Sequence, residues 1–433
     1  YARGNAGDFE RWAGLGAEGW GYEDVLPYFK KAQGSRSGSR SEVARGFDGP
    51  LTTTDGVMTN PLYAHFIEAA QQAGYPYRAD LNDGDQEGFG PLPMTVADGV
   101  RQSSSRAYLS ASRPNLRILK NSLVTNVAIR DGRACAIEVK SGRKKLRVEA
   151  TQEVILSAGA INSPQLLMLS GIGDAEQLRR YGIDPVVDSP NVGKNLMDHL
   201  EVYVQQACTE PLSLYKDLSL WGRAKIGARW LYNQSGLGAT NHFEAGGFIR
   251  SSEDQPYPDI QFHFLPAAMS YDGSSQVQQH GFQAHVGPML PLSRGAVTLC
   301  SADPLQAPRI AFNYLSEAED WRVFRQAIRA ARSIFAQPAL AGVSGMEISP
   351  GASIQTDAEL DEFIRNHAES AYHPCGTCRM GSDAEAVVDP LGRVNGVDGL
   401  RVIDTSIFPH ITNGNLNAPV IMVAEKLADA IKA

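Results

Sequence analysis

In PDIQFHFLP (258–266), Ile260, Phe262 and Phe264 are separated by Gln261 and His263. A period of two predicts a strand with one buried face. Three further apolar stretches predict strands: LRILKNSLVTNVAIR (116–130), RVEATQEVILSAGA (147–160) and LRVIDTSIFP (400–409). A period near 3.6 predicts helices in FIEAAQQAG (66–74), DWRVFRQAIRAARSIFAQ (320–337) and APVIMVAEKLADAIKA at the C-terminal end. In the last, Val420, Val423, Leu427 and Ile431 share one face. Strands alternating with helices argue for an α/β chain with mixed α+β character and additional antiparallel sheet. GSRSGSRSEVARG (34–46) reads as an exposed, mobile loop.

The 433 residues exceed what one small core needs, so two or three folding units are expected. With 43% hydrophobic and 20% charged residues the composition is that of a globular chain. A net charge of −8 argues against a nucleic-acid surface and a polycationic membrane patch. No apolar run reaches the roughly 18 residues a membrane span needs, which leaves only peripheral membrane association open. Five scattered cysteines, an odd number, do not form a disulfide framework and fit a reducing, cytoplasmic setting.

Several motifs carry candidate chemistry. GLGAEG (14–19) has the letters of a dinucleotide fingerprint, but no buried strand precedes it, and it reads as a surface turn. EVILSAGAINSPQLLMLSGIG (153–173) reads as strand, small-residue turn and helix, with Asn162 or Ser163 capping a helix that begins at Pro164. Such a turn brings backbone close to a cofactor in some folds and is plain packing in others. AYHPCGTCRMG (371–381) holds a C-x-x-C pair. Structural zinc commonly takes two such pairs, and a thioredoxin-like motif wants a strand before it and a helix after it. Neither context is present, so Cys375 and Cys378 read as packing residues and no metal is expected. His373 remains the chemically interesting member.

GAINSPQLLMLSGIG, NVGKNLMDHL, AYHPCGTCRMG and LRVIDTSIFPHITNGNLNAPVIMVAEKLADAI occur in that order. With YARGNAGDFERWAGLGAEGWGYEDVLPYFKKAQ and GVRQSSSRAYL, they make the whole chain resemble the glucose-methanol-choline family of flavin oxidoreductases. NHFEAGGFIRS (241–251) and ESAYHPCGTCRMG are most similar to the branch that oxidises choline. The resemblance implies a flavin domain (1–60, 97–205 and 372–433) interleaved with a substrate domain on an antiparallel sheet (61–96 and 206–371). It implies FAD, oxidation of choline to betaine aldehyde, and an electron acceptor that the sequence does not identify. An enzyme for a neutral alcohol, or a non-redox lyase that keeps FAD, stays open.

The resemblance assigns His373 and Asn417 to the substrate hydroxyl. It assigns Glu244 to the substrate cation, with Phe243, Tyr372, Trp221 and Trp230 as candidate aromatic neighbours. Toward FAD it points to Val124, Ser157, Gly159, Asp404, Ala418 and Pro419. Asp198 and His199 read as structural. A second active-site histidine of the family falls at Leu290 here; either this branch does without it, or another group, such as His242 or His263, replaces it. The family's strand–Gly-x-Gly-x-x-Gly–helix unit precedes Tyr-x-Arg-Gly-Asn, and these residues begin at that motif. The 433 residues alone are therefore expected to bind FAD weakly or not at all; stoichiometric flavin absorbance from the purified chain would contradict this.

Overall fold

The computed structural model describes residues 1–37, 43–110, 113–269 and 279–432. Its helices include α1 (Ala6–Gly14), α2 (Pro61–Gln72), α3 (Gly159–Leu169), α4 (Ala318–Phe335) and α5 (Asn417–Lys432). The strands that shape the site are β1 (Gly88–Pro91), β2 (Val154–Leu156), β3 (Leu200–Cys208), β4 (Ala245–Ile249), β5 (Ile260–Leu265), β6 (Gly281–Pro288), β7 (Ser344–Ser349) and β8 (Leu400–Val402). Helix and strand mix as the sequence predicts, at 30% and 25%.

Expected and observed boundaries differ for local reasons. Helix α2 starts at Pro61, before the predicted 66, because Asn60 accepts the Leu62 N–H and Pro61 suits the first helical position. Helix α3 starts at Gly159, not Pro164. The Ser163 hydroxyl, free of capping duty, accepts from the Ala158 N–H and donates to Asp404. The predicted strand at 147–160 is two strands, Lys144–Glu149 and Val154–Leu156; that at 116–130 forms only over Leu123–Arg130. The 34–46 segment is not all loop. Gly34 and Ser35 belong to a short strand, and Arg45 is buried in an ion pair with Asp80. Residues 38–42 lie outside the described part. GLGAEG follows helix α1 and forms turns, as read from its context.

A seven-stranded antiparallel sheet has the order β7-β3-β6-β5-β4-β1, with Glu369–Ser370 pairing against the start of β3. Its alternation is strict. Val202, Val204, Phe262, Phe264, Phe282, Ala284 and Val286 point to one face and are all buried. They pack against α2 and α4, whose Phe66, Phe324, Ala327, Ile328, Ala331 and Ile334 are 0% exposed. Phe66 stacks on Phe264 at 4.4 Å and 15°. The register sets Tyr203 opposite His285 and His285 opposite His263. The other face is therefore polar, carrying Glu201, Gln205, Gln261, His263, Gln283 and His285.

A second core surrounds the parallel pair β2 and β8, with α1, α3 and α5 around it. Cys375 and Cys378 are fully buried there, so they pack as the sequence suggests, and burial pushes both thiols up. The loop before α5 is tied down by the Asn413 N–H, which donates to Asp8 at 2.7 Å, and by the Asn413 amide, which donates to Gln86 and Pro258.

Phe264 joins β5 to α2, so Phe264→Ala is expected to cost about 3–5 kcal/mol. A chemical-denaturation midpoint that hardly moves would contradict this packing.

Candidate active site

His373 sits where the chain leaves the short strand Glu369–Ser370. Its mounting is the Asp-His pair at 198–199. Asp198 Oδ1 accepts the His373 N–H at 2.8 Å and the His199 N–H at 3.0 Å. Asp198 Oδ2 accepts the hydroxyls of Tyr314 and Ser370, both at 2.6 Å. Burial still lifts this carboxyl above its usual range, against those four donors. What these two residues hold is the candidate base: Asp198 its backbone and His199 its ring.

The imidazole tautomers follow from one carbonyl. His199 Nε2 lies 2.9 Å from the Met289 oxygen, which can only accept, so Nε2 carries the proton. Burial holds the His199 pKa down at about 4, so the ring is neutral and Nδ1 is an acceptor. His373 Nδ1 lies 3.0 Å from it and must donate. The His373 pKa is held well below its ordinary value, first by burial and then by His199 and His263. The lone pair of the neutral ring is thus on Nε2, where the Asn415 amide donates at 3.1 Å. The Gln261 amide donates to Asn415 Oδ1 at 3.3 Å and approaches His263 Nε2 at 3.1 Å. Burial also brings His263 to about 4. Three neutral imidazoles lie together.

They face a cavity of about 660 Å³ whose floor is the polar side of the sheet. His373, Asn415 and Asn417 line it together with Phe243, His263 and Glu201. Asn417 is the first residue of α5, but the amide bonded to His373 belongs to Asn415, two residues earlier. Glu244 is outside the lining. Its buried carboxylate accepts from the Met58 N–H and, at 2.6 Å, from the Thr240 hydroxyl. Tyr372 is 67% exposed at φ +60° and also lies outside. Trp221 is exposed, and Trp230 donates to the Gly99 carbonyl; neither lines the cavity. His242 and His263 both line it, while Leu290 does not.

The residues assigned to FAD form a second grouping. β2 and β8 are parallel neighbours, and the turns at their carboxyl ends meet: the Gly159 N–H donates to Asp404 Oδ2 at 2.9 Å. Gly159 has φ +79°, and a Cβ there would meet nothing within 4 Å, so the turn faces open space. Helix α3 starts without a side-chain cap, and Ser157 beside it is exposed. A helix N-terminus without a side-chain cap, at the ends of parallel strands, suits an anionic dinucleotide. Ala418 and Pro419 are buried in the first turn of α5, below the cavity, and Val124 packs half-buried against the same core. These features fit FAD.

The sequence reading missed Asn415, Glu201, His285 and the role of His199. Its signals were present: a polar residue at every second position of strands otherwise rich in Phe and Val.

A neutral imidazole with its lone pair at a cavity, and strand-end turns that suit a dinucleotide, are what a flavin-dependent oxidoreductase acting on alcohols needs. Comparison with known proteins agrees. Two GMC oxidoreductase family models match residues 1–201 and 291–424. The chain belongs to the GMC oxidoreductase family, whose cofactor is FAD. It is 53% identical over 435 residues to the oxygen-dependent choline dehydrogenase of Brucella canis, covering 100% of this chain and 79% of that protein. Identity to the Cronobacter sakazakii protein of the same name is 52% over 439 residues, covering 100% and 78%. Among solved structures, the chain is similar to pyridoxine 4-oxidase from Mesorbium loti, with 30% identity, TM-score 0.89, and 100% and 81% of the two chains covered. Similarity to Aspergillus oryzae formate oxidase gives 26% identity, TM-score 0.93, and 100% and 82% covered.

Because His373 is held low, kcat/KM for an alcohol should stay level as pH falls through 6.5 and decline only below it. His199→Leu strips the acceptor from His373 Nδ1, and kcat should fall about 10²-fold with the acid limb moving further down, because burial then acts on an imidazolium that has lost its partner. An unchanged limb in a folded, flavin-loaded variant would limit His199 to packing.

Proposed function

We propose that the protein oxidises choline to betaine aldehyde, passing the hydride to FAD. The observation that carries the alcohol chemistry is the His373 Nε2 lone pair, fixed by the His199–Met289 chain and facing the cavity. The substrate hydroxyl takes the place of the Asn415 amide and donates to Nε2. Nε2 takes the hydroxyl proton as the carbon–hydrogen bond gives up its hydride and the carbonyl forms. FAD, when bound, supplies the acceptor for that hydride. Asn415 and Asn417 supply amide donors that hold the oxygen while charge develops on it. Val124, Ser157, Gly159, Asp404, Ala418 and Pro419 would hold the cofactor. Segments 1–60, 97–205 and 372–433 would form its domain, and 61–96 and 206–371 the substrate domain.

Choline as substrate is supported by the names of the relatives at 52–53% identity. Molecular oxygen is the electron acceptor we assign, on those same names. All five cysteines are free, in keeping with a reducing, cytoplasmic compartment. Among the described residues no helix is long and apolar enough to cross a membrane.

The test is anaerobic mixing of the flavin-loaded full-length protein with choline or with its neutral isostere 3,3-dimethylbutan-1-ol. Rapid bleaching of the flavin band by choline, with slow bleaching by the isostere, is expected. Equal bleaching by both would keep alcohol oxidation and discard choline; no bleaching by either would discard the redox reading.

A further inference from the structure

Asp8 does more than its place in helix α1 requires. With Asn5 it forms a reciprocal cap: Asn5 accepts the Gly7 N–H at 2.9 Å, and Asp8 Oδ2 accepts the Asn5 N–H at 2.8 Å. An ordinary cap ends there. Asp8 is 1% exposed, and the same Oδ2 also accepts the Asn413 N–H at 2.7 Å, from the far end of the chain. Asp8 Oδ1 is buried too and makes no hydrogen bond of full geometry among the described residues, although the Tyr257 hydroxyl beside it steadies the charge. Burial outweighs these donors and the Arg11 cation, and it lifts the carboxyl to about 6. The charged or titratable groups against Asp8 are Arg11 on the same helix and Tyr257 from the segment before β5. The folded carboxyl holds its proton more tightly than the unfolded one. Ionised Asp8 therefore lowers stability as pH rises from the ordinary carboxylate range through about 6. Capping a helix does not call for that cost.

What the extra bond holds is the turn that carries Asn415. Asn413 is fully buried, and its amide is committed to Gln86 Oε1 at 2.8 Å and to the Pro258 carbonyl at 2.7 Å. Gly414 follows at φ +85°, where a Cβ would come within 3.2 Å of Ala2 and 3.4 Å of the Phe248 ring. A turn packed this closely passes the placement of the Asn413 peptide on to Asn415 with little slack. The Asn415 amide in turn meets His373 Nε2 at 3.1 Å. Of the groups bonded to Asn413, only Asp8 is charged, and a charge-assisted hydrogen bond is roughly twice as strong as a neutral one.

We propose that Asp8 is a positioning residue: its carboxylate, through the Asn413 N–H, holds the Asn415 amide where it meets the substrate oxygen at His373. This rests on the alcohol-oxidising reading above.

The experiment measures anaerobic flavin reduction by choline and by 3,3-dimethylbutan-1-ol at pH 8, with KM and Tm. It uses the flavin-loaded full-length wild type, Asp8→Asn, Asn415→Ala and the double variant. Asp8→Asn keeps an oxygen for both N–H groups and removes the charge. Its reduction rate at saturating alcohol should fall about tenfold, with KM nearly unchanged and Tm equal to or above that of the wild type. A cap and nothing more predicts a lower Tm and an unchanged rate in the folded protein, and that result overturns the proposal. In the Asn415→Ala background, Asp8→Asn should cost nothing further. The same tenfold loss there shows that Asp8 does not act through Asn415, and it also overturns the proposal. If Asp8→Asn does not fold, Asp8→Glu decides by the same comparison: a loss confined to the protein that keeps Asn415 supports the role, and equal losses with and without Asn415 overturn it. A wild type whose flavin neither alcohol reduces fails differently, because it removes alcohol oxidation itself and with it this role for Asp8.

Discussion

Asp198 is the fixed point of the site. A buried carboxylate loses hydration worth several kcal/mol unless donors replace the water, and four donors converge on it from three segments of the chain. One is the backbone of His373 itself. The position of the candidate base is thus set through its main chain, while its ring is set separately by His199. The neighbouring Tyr372 adopts a left-handed φ of +60°, a conformation uncommon for a non-glycine residue. The fold accommodates that local cost next to the residue that must be placed most accurately.

The second constraint is the register of the sheet. Because side chains alternate, a slip of one residue would exchange Phe262 for His263 and Ala284 for His285. The phenylalanines packed against α2 and α4 therefore select which polar groups face the cavity. Stability and site composition are coupled here. The same apolar burial that holds β5 and β6 in place points Gln261, His263, Gln283 and His285 at the substrate. Polar side chains on a nearly closed face persist because they satisfy one another: Gln205 to Gln283 to His285 to Glu201, and Gln261 to Asn415 to His373.

This division explains what could be read in the chain. The period-two pattern at 258–266 announced both the strand and its polar face, and the helical stripes gave α4 and α5 nearly whole. His373 stood out because Pro, Gly and Thr follow it closely. Element starts were less legible, since Asn60 or Ser163 can each serve a cap, a turn or a tertiary contact, and only the folded neighbours decide. The carboxylate that lines the cavity was the least legible feature. Glu244 sits in a stretch, NHFEAGG, whose apolar setting resembles a binding pocket. Glu201 lies in LEVYV, where an acid reads as the solvent face of a strand. Which of the two reaches the cavity depends on Met58 and Thr240, about 190 and four residues away, and on a pairing to His285 that no local pattern contains.

The charge state of the cavity then bears on how the proton and hydride must leave. Three neighbouring imidazoles are held neutral by burial, and one acid is held ionised. A histidine pushed low is unprotonated at working pH, yet it is a weak base and cannot strip an unactivated alcohol. Proton transfer therefore cannot run ahead of the oxidation. As the hydride departs, the hydroxyl becomes that of a protonated carbonyl and its acidity rises steeply, so even a weak base then suffices. The imidazolium formed at that moment finds the His199 lone pair on Nδ1 and the Glu201 charge across the same cavity. The positive charge thus arises where the site can hold it briefly, and burial, which disfavours it, drives the proton out again and returns His373 to its neutral form.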